Sequence, residues 1–223
     1  MNRTFLTGCD SNTEWQLPWF IRNFIEYNED EHLLVSDFGM SNEMLAFLKS
    51  LDYNISVVKV LTEAEGWFKK PRAMLDASFH YDKVCWLDTD CQIMRDISDI
   101  FDHTVPFKLS MVEDRPWTKR RGEMGTWHNT GVVVYEGTPN TLKVWAEACI
   151  NDPIQGDQET LYAMCGGDEI LKMSIIEPLP HKYNTLRLDY IDGIAVKDPW
   201  VIHHTGKKGK DVIREQMEMK DVE

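Results

Sequence analysis

The chain lacks a CxxC pair. Its five cysteines, Cys9, Cys85, Cys91, Cys149 and Cys165, are odd in number and widely spread, and three lie within apolar runs. Such spacing supports neither a disulfide framework nor a structural zinc site. No apolar run approaches the ~18 residues of a membrane span, and the opening MNRTFLTGCD carries no signal-type apolar core. Basic residues are scarce, 24 against 37 acidic, for a net charge of −13. That deficit argues against nucleic acid, whose phosphates are neutralised by Lys and Arg, and against an anionic membrane surface. Repeats, low-complexity tracts and interdomain linkers are missing as well. The expectation is a reduced, soluble, cytoplasmic protein with no nucleic-acid partner and no membrane insertion. A small, locally placed cationic pocket remains compatible with the charge. With 223 residues, 43% hydrophobic and 27% charged, the chain can bury a substantial core as one folded domain.

Short β-rich runs alternate with amphipathic windows. The strands expected are Thr4–Cys9, His32–Asp37, Ile55–Leu61, Val84–Asp88, Phe107–Val112, Gly131–Tyr135 and Pro199–His204. Between them Leu17, Phe20, Ile21 and Phe24 repeat at helical spacing, as do Met44, Phe47, Leu48 and Leu51. A third helix opens at Pro71. A fourth opens at Thr138-Pro139, with Thr138 as N-cap and Leu142, Trp145, Ala146 and Cys149 inward. Strand–helix alternation through the first ninety residues predicts βαβ units and an α/β fold with a mainly parallel sheet. After Asp88 the alternation fails, and Glu113–His128 reads as a long irregular loop, a candidate lid or acceptor loop. Within it Trp117 and Trp127 are candidates for acceptor contact, whereas Trp86 and Trp145 sit at core-facing spacing. Residues 206–223 read as a charged surface helix or tail.

Two clusters carry chemistry. In Val84-Cys-Trp-Leu-Asp88-Thr-Asp90 an apolar strand ends in two carboxylates at i and i+2. Such carboxylates project to one side of an extended segment, where ligands of α/β sheets gather, and both reach one hard cation such as Mn²⁺ or Mg²⁺. Asp also caps turns well, so an acidic strand-to-loop turn is the plainer reading. A haloacid dehalogenase-type phosphatase shares strand-then-DxD, but Gln92 and the mid-chain position disfavour it. The second cluster is Trp200-Val-Ile-His203-His204-Thr-Gly206-Lys-Lys208-Gly-Lys210, an apolar strand delivering two histidines into a Gly- and Lys-rich turn. Imidazole completes carboxylate-rich Mn²⁺ sites, and lysines add charge for phosphates.

Together these motifs resemble the GT-A (Rossmann-like) glycosyltransferases, and within them the retaining glycogenin-like and lipopolysaccharide-galactosyltransferase-like family. The resemblance is an ordered series over most of the chain: Thr7-Gly8-Cys-Asp10 ending the first strand, Lys69-Lys70-Pro-Arg72 opening a helix, and Asp88-Thr89-Asp90. His128-Asn129-Thr-Gly131-Val-Val, Gly156-Asp157-Gln158, Leu179-Pro-His-Lys-Tyr-Asn184 and His203-His-Thr-Gly206 follow. It implies a single domain, with residues 1–105 as the nucleotide-binding half and 106–205 as the donor-sugar and acceptor half.

It further implies hexosyl transfer from a UDP-sugar to an acceptor hydroxyl, the acceptor being a glycan, lipid, protein or small molecule. Asp88, Asp90 and one of His203 or His204 would hold Mn²⁺ or Mg²⁺. Thr7, Gly8 and Asp10 would meet the nucleoside, and Trp15 is a stacking candidate, although an indole opening an amphipathic helix suits the core better. Thr89, Gly206 and Lys208 or Lys210 would meet the diphosphate; the family's usual lysine position is here Gly209. Asp157 would bind sugar hydroxyls, oriented by Lys70 or Arg72, and Gln158 would face the developing cation. Asn129 would fix the sugar or a loop. Gly-Asp-Gln-Glu ahead of an apolar run is also good capping chemistry. Inversion would instead require a base, for which Asp168 or Glu169 are available. A sugar-nucleotide nucleotidyltransferase or hydrolase is disfavoured because TGCDSNTEW holds one Gly and no Lys or Arg. A non-catalytic nucleotide-sugar-binding relative is the third alternative.

Overall fold

The computed structural model describes residues 2–121 and 125–220. The strands are β1 (Arg3–Cys9), β2 (Leu33–Asp37), β3 (Ile55–Lys59), β4 (Lys83–Leu87), β5 (Cys91–Ile93), β6 (Leu109–Glu113), β7 (His128–Glu136), β8 (Ile176–Pro178), β9 (Thr185–Leu186) and β10 (Val201–His203). The helices are α1 (Leu17–Tyr27), α2 (Asn42–Ser50), α3 (Lys70–Ala77), α4 (Arg115–Arg120), α5 (Asn140–Asn151), α6 (Asp157–Met164), α7 (Glu169–Ile175), α8 (Arg187–Ile191) and α9 (Gly206–Lys220).

A seven-stranded sheet runs β3-β2-β1-β4-β7-β6-β8. The first four strands are parallel, β7 is antiparallel to both its neighbours, and β8 runs parallel to β6. Residues along each strand alternate between two cores. Phe5, Cys85, Leu87, Val132 and Val134 pack with α1, while Leu6, Val84, Trp86, Val133 and Tyr135 pack with α3 and α5. This is the two-residue period of a sheet covered on both faces. From β1 the chain winds outward through β2 to β3, then returns to β4 on the other side of β1. The crevice beyond the carboxyl ends of β1 and β4 is therefore the topological switch point, where ligands of open α/β sheets bind.

A small second sheet, β5-β10-β9, lies beside it. Three such short strands have too few residues to show a period, and β5 and β9 were not expected. β10 runs antiparallel to β5 with His203 opposite Cys91, and the His204 amide donates to the Asp90 carbonyl at 2.9 Å. That pairing fixes the C-terminal histidines against the DxD turn.

Two local expectations change. The stretch 113–128 is not wholly irregular: Asp114 caps α4 by accepting from the Trp117 amide at 3.0 Å, with Pro116 in the first turn. Residues 122–124 of that stretch lie outside the described residues, as do 221–223 of the charged tail, whose preceding part is α9. The N-cap of α5 is Pro139, not Thr138, whose hydroxyl donates to the Ser78 carbonyl at 3.3 Å. All five cysteines are buried free thiols, and no helix among the described residues is long and apolar enough to cross a membrane.

Candidate functional site

Strand β4 ends at Leu87, so Asp88 and Asp90 emerge at the switch point. The turn is anchored by the Asp88 amide, which donates to the Gly131 carbonyl at 2.8 Å. Trp86, on the same strand, donates its indole N–H to Asp88 Oδ1 at 2.6 Å. Lys70, at the start of α3 and 3% exposed, reaches between two carboxylates: 3.2 Å to Asp88 Oδ1 and 2.7 Å to Asp157 Oδ2. Its third hydrogen is shared between the Thr130 carbonyl and hydroxyl at 3.1 and 3.2 Å. Burial works against the Lys70 charge, but Asp157 and Asp88 outweigh it and hold its pKa above the usual lysine value. Arg72 of the same motif lies elsewhere, paired with Asp76 one turn on along an outer face. Of the two basic candidates only Lys70 joins the site.

The two histidines have different surroundings. His203 Nε2 lies 3.0 Å from Asp90 Oδ1 and 3.8 Å from Asp88 Oδ2. Its Nδ1 faces two amide oxygens, Asn129 Oδ1 at 3.1 Å and Asn184 Oδ1 at 3.2 Å. Both are acceptors, so Nδ1 carries a hydrogen and Nε2 presents its lone pair to the carboxylate side when the ring is neutral. Burial disfavours the imidazolium, yet Asp90 and Asp88 raise the His203 pKa above the ordinary value. Burial likewise disfavours the Asp90 carboxylate, but His203 and Lys210 hold its pKa below the usual range. Asp88 goes the other way, pushed up by burial and by crowding from Asp90 and Asp157 despite Lys70 and His203. His204 instead turns away. Its Nε2 bonds Gln92 Oε1 at 2.9 Å, its ring lies edge-on to Trp19, and burial pushes its pKa down to about 4.

Asp90, Cys91 and His203 also place one donor atom each within 4.8 Å of one another. Cys91 is fully buried, however, with burial holding its thiol pKa well above the ordinary value and its S–H against the Gly131 carbonyl. A neutral thiol is a poor partner for a hard cation; the carboxylate nearest this group is Asp88, whose Oδ2 lies 3.8 Å from His203 Nε2 and is a donor of the harder kind.

Two hollows share this cluster. One, of about 480 Å³, runs from Asp88, Asp90 and Asp157 to Gly8 and Asp10, with Lys210 and Thr89 on its wall. The other, about 230 Å³, holds Asn129, Gln158, Trp117, His203 and Gly206 beside the same three aspartates. Gly8 is there because a Cβ would come within 2.9 Å of Ser36 and Phe38 atoms. Asp10 lines the cleft but spends its oxygens on its own turn, accepting from the Asn12 and Thr13 amides and the Thr13 hydroxyl. Thr7 is fully buried one residue too early to line it. Lys208 is exposed and lines neither hollow, whereas Lys210 does. Position 209 must be glycine, since its Cβ would stand 2.0 Å from the His204 carbonyl oxygen.

Asp157 is the first residue of α6, behind N-cap Gly156, and its Oδ2 also accepts from the Thr130 hydroxyl at 2.8 Å. No side chain caps that helix. The Gln158 amide is clamped: Nε2 donates to Asp114 Oδ2 at 3.1 Å, and Oε1 accepts from Asn129 Nδ2 at 3.1 Å. Asp114 was not singled out from the sequence, and Asn184 was given no role. Asp114 was legible only as an acid before Arg-Pro, an N-cap signal, and Asn184 only as the end of the Leu-Pro…Asn segment. The alternative bases sit apart from the cluster: Asp168 caps α7, and Glu169 pairs with Lys172 at 2.8 Å. Trp127 is buried and stacked on Tyr162 at 3.8 Å, so of the two loop indoles only Trp117 reaches the smaller hollow. Trp15 packs against the α1 core under the Arg214 guanidinium and does not line the cleft.

No protein-family model matches the sequence, and no curated protein does. Solved structures do match in three dimensions. The galactosyltransferase LgtC, in complex with donor and acceptor sugar analogues, is similar at 17% identity and a TM-score of 0.65, over 91% of this chain and 87% of its own. A form of LgtC with an active-site glutamine changed to glutamate is similar at a TM-score of 0.64. The Streptococcus pneumoniae glycosyltransferase GlyE matches at 16% identity and 0.64 over 92% of this chain and 55% of its own. The bifunctional glycosyltransferase WbbM matches at 16% and 0.60 over 92% and 46%. The chain has the GT-A glycosyltransferase fold: a single α/β domain around a seven-stranded sheet.

Proposed function

We propose that this protein is a metal-dependent hexosyltransferase that moves a sugar from a UDP-sugar to an acceptor hydroxyl with retention of anomeric configuration. The observation that carries the reading is the convergence of Asp88, Asp90 and His203, from distant parts of the chain, beside Asp157, Gln158 and Lys210 at the switch point of this fold. LgtC, which shares the fold, is a galactosyltransferase with donor and acceptor sugar analogues bound and a glutamine in its active site.

Asp88, Asp90 and His203 would hold Mn²⁺ or Mg²⁺, which when bound supplies electrostatic stabilisation for a departing diphosphate. The chain's own residues supply the rest. Asn129 and Asn184 fix the His203 ring so that Nε2 faces the carboxylates. Lys210 brings positive charge to the cleft wall in a chain of net charge −13. Lys70 offsets the repulsion between Asp88 and Asp157 and so keeps two carboxylates within one small volume. Asp157 is then set to accept from sugar hydroxyls. The Gln158 amide, held by Asp114 and Asn129, presents a fixed dipole to the donor sugar with little reorganisation. With Asp168 and Glu169 committed elsewhere, the acceptor's proton is best taken by the leaving diphosphate.

The test is UDP release from a panel of UDP-sugars with Mn²⁺, with Mg²⁺ and with EDTA, followed by NMR of the product anomer once an acceptor is found. Metal-dependent release that prefers one sugar is expected. Absence of both release and thermal stabilisation by UDP with Mn²⁺ would reject the donor.

A further inference from the structure

The larger hollow extends beyond the acidic cluster toward Gly8 and Asp10, and no aromatic partner for a base has yet been placed there. The Asp10–Thr13 turn lines it. A 3-10 turn over Gly66–Lys69 contributes Gly66, Trp67 and Phe68 to the same lining, and it is entered through Gly66 at φ +52°, a left-handed conformation suited to glycine. The conformation carries Trp67 onto the rim, where its side chain lines the cleft and remains 59% exposed. Its aromatic contact is an oblique one to Phe68 at 6.0 Å. The other large aromatics of the cleft are already engaged, Phe38 lying stacked on Trp86 at an interplanar angle of 8°.

An indole left open to water across most of its surface contributes little to folding, and its place on a ligand cleft is what a stacking wall requires. A second mark lies at the same end. Gln16 is 2% exposed and lines the cleft. Its amide nitrogen donates to the Thr13 carbonyl at 3.3 Å, while its amide oxygen has no partner. That oxygen is itself buried, so a planar ring carrying N–H would reach it only as the Gln16 side chain turns toward the cleft it lines.

We infer that Trp67 is the stacking wall for the nucleobase of the donor, holding the base over the Asp10–Thr13 turn with its N–H edge toward Gln16. The inference rests on the nucleotide-sugar reading above, and it replaces Trp15 as the aromatic partner of the base. The diphosphate would then reach the Asp88–Asp90 end of the same hollow, so the two ends are separable by probe.

Calorimetric titration of UDP and of inorganic pyrophosphate, each with Mn²⁺, compares the wild type with Trp67→Ala and Trp67→Phe. Removing a base-stacking aromatic should weaken UDP binding about 5- to 150-fold, while pyrophosphate, which has no base, binds as before. Trp67→Phe should restore most of the UDP affinity. Unchanged UDP affinity in Trp67→Ala overturns the inference and leaves the donor reading standing. Parallel loss of both ligands also overturns it, because Trp67 would then act by shaping its loop. A wild type that binds pyrophosphate but neither UDP nor any other nucleoside diphosphate removes the donor reading and this inference together.

Discussion

Gly131 is where the smallest change should have the clearest consequence. It lies in β7, and its carbonyl receives the Asp88 amide that anchors the acidic turn. A Cβ at this position would stand 2.0 Å from His203 Cε1, 2.5 Å from Nδ1 and 3.0 Å from Asn129 Oδ1. To reach ordinary contact, about 3.5 Å, the imidazole would have to withdraw by more than an ångström. It has no free direction, since Asp90 holds one ring nitrogen and two asparagines hold the other. Gly131→Ala therefore has two separable effects. Overpacking at a fully formed site costs about 1–3 kcal/mol, or at ~2–4 °C per kcal/mol a loss of several degrees in Tm with EDTA present. Displacing His203 from Asp90 should also weaken Mn²⁺ by about 10- to 100-fold, the range for disturbing a metal ligand's support. Free Mn²⁺ followed by electron paramagnetic resonance during titration reads the second effect, and thermal melting in EDTA reads the first. Mn²⁺ affinity equal to wild type in a destabilised Gly131→Ala protein would refute the assignment of His203 to the metal set.

Three further outcomes are expected. Asp90→Ala should abolish metal-stimulated release of UDP while the circular dichroism spectrum stays native; retained metal-stimulated turnover would count against the Asp88–Asp90 pair. Lys70→Met leaves the buried Asp157 and the partly exposed Asp88 without their cation and should cost about 3 kcal/mol in urea unfolding, so an unchanged midpoint would contradict the role given to Lys70. Burial pushes the pKa of both His128 and His204 down to about 4. The folded chain thus stays neutral at these rings while the unfolded chain takes up protons below about 6.5. Their contribution to stability is complete above that pH and declines as the pH falls toward 4. His204→Gln keeps a donor for Gln92 and should flatten that decline; an acid limb of unchanged slope would argue against a neutral, buried His204.

The first half of the fold was legible because it is repetitive. Leu17, Phe20, Ile21 and Phe24 repeat at helical spacing between two short strand-like runs, and the resulting βαβ units leave few topologies. The second half was less so. β5, β8 and β9 are three residues long or shorter, and a run of that length shows no period. Asp114 illustrates the matter for the site: in sequence it is one of 37 acids, and it becomes distinctive only when folding sets Gln158 and Asn129 against its oxygens.

Choices of register were beyond the sequence for a related reason. His203 and His204 have the same chemistry at adjacent positions, and adjacent residues of a strand face opposite sides. What separates them is the pairing of β10 with β5, which points His203 at Asp90 and sends His204 toward Gln92 and Trp19. The lysines follow the same logic on a helix. Once α9 begins at Gly206, position 209 faces the His204 carbonyl too closely for any side chain, and the cation must come from a neighbour. Lys210 lies on the cleft side and Lys208 on the solvent side. Glycine at 209 is thus the steric cost of seating the start of α9 against the histidine strand, and moving the lysine by one residue is how the chain keeps a cation at the cleft. If that is right, Lys210→Ala should weaken pyrophosphate binding with Mn²⁺ while Lys208→Ala leaves it unchanged. Equal losses in the two variants would mean that diffuse charge at the start of α9, and not one placed ammonium, supplies the contact.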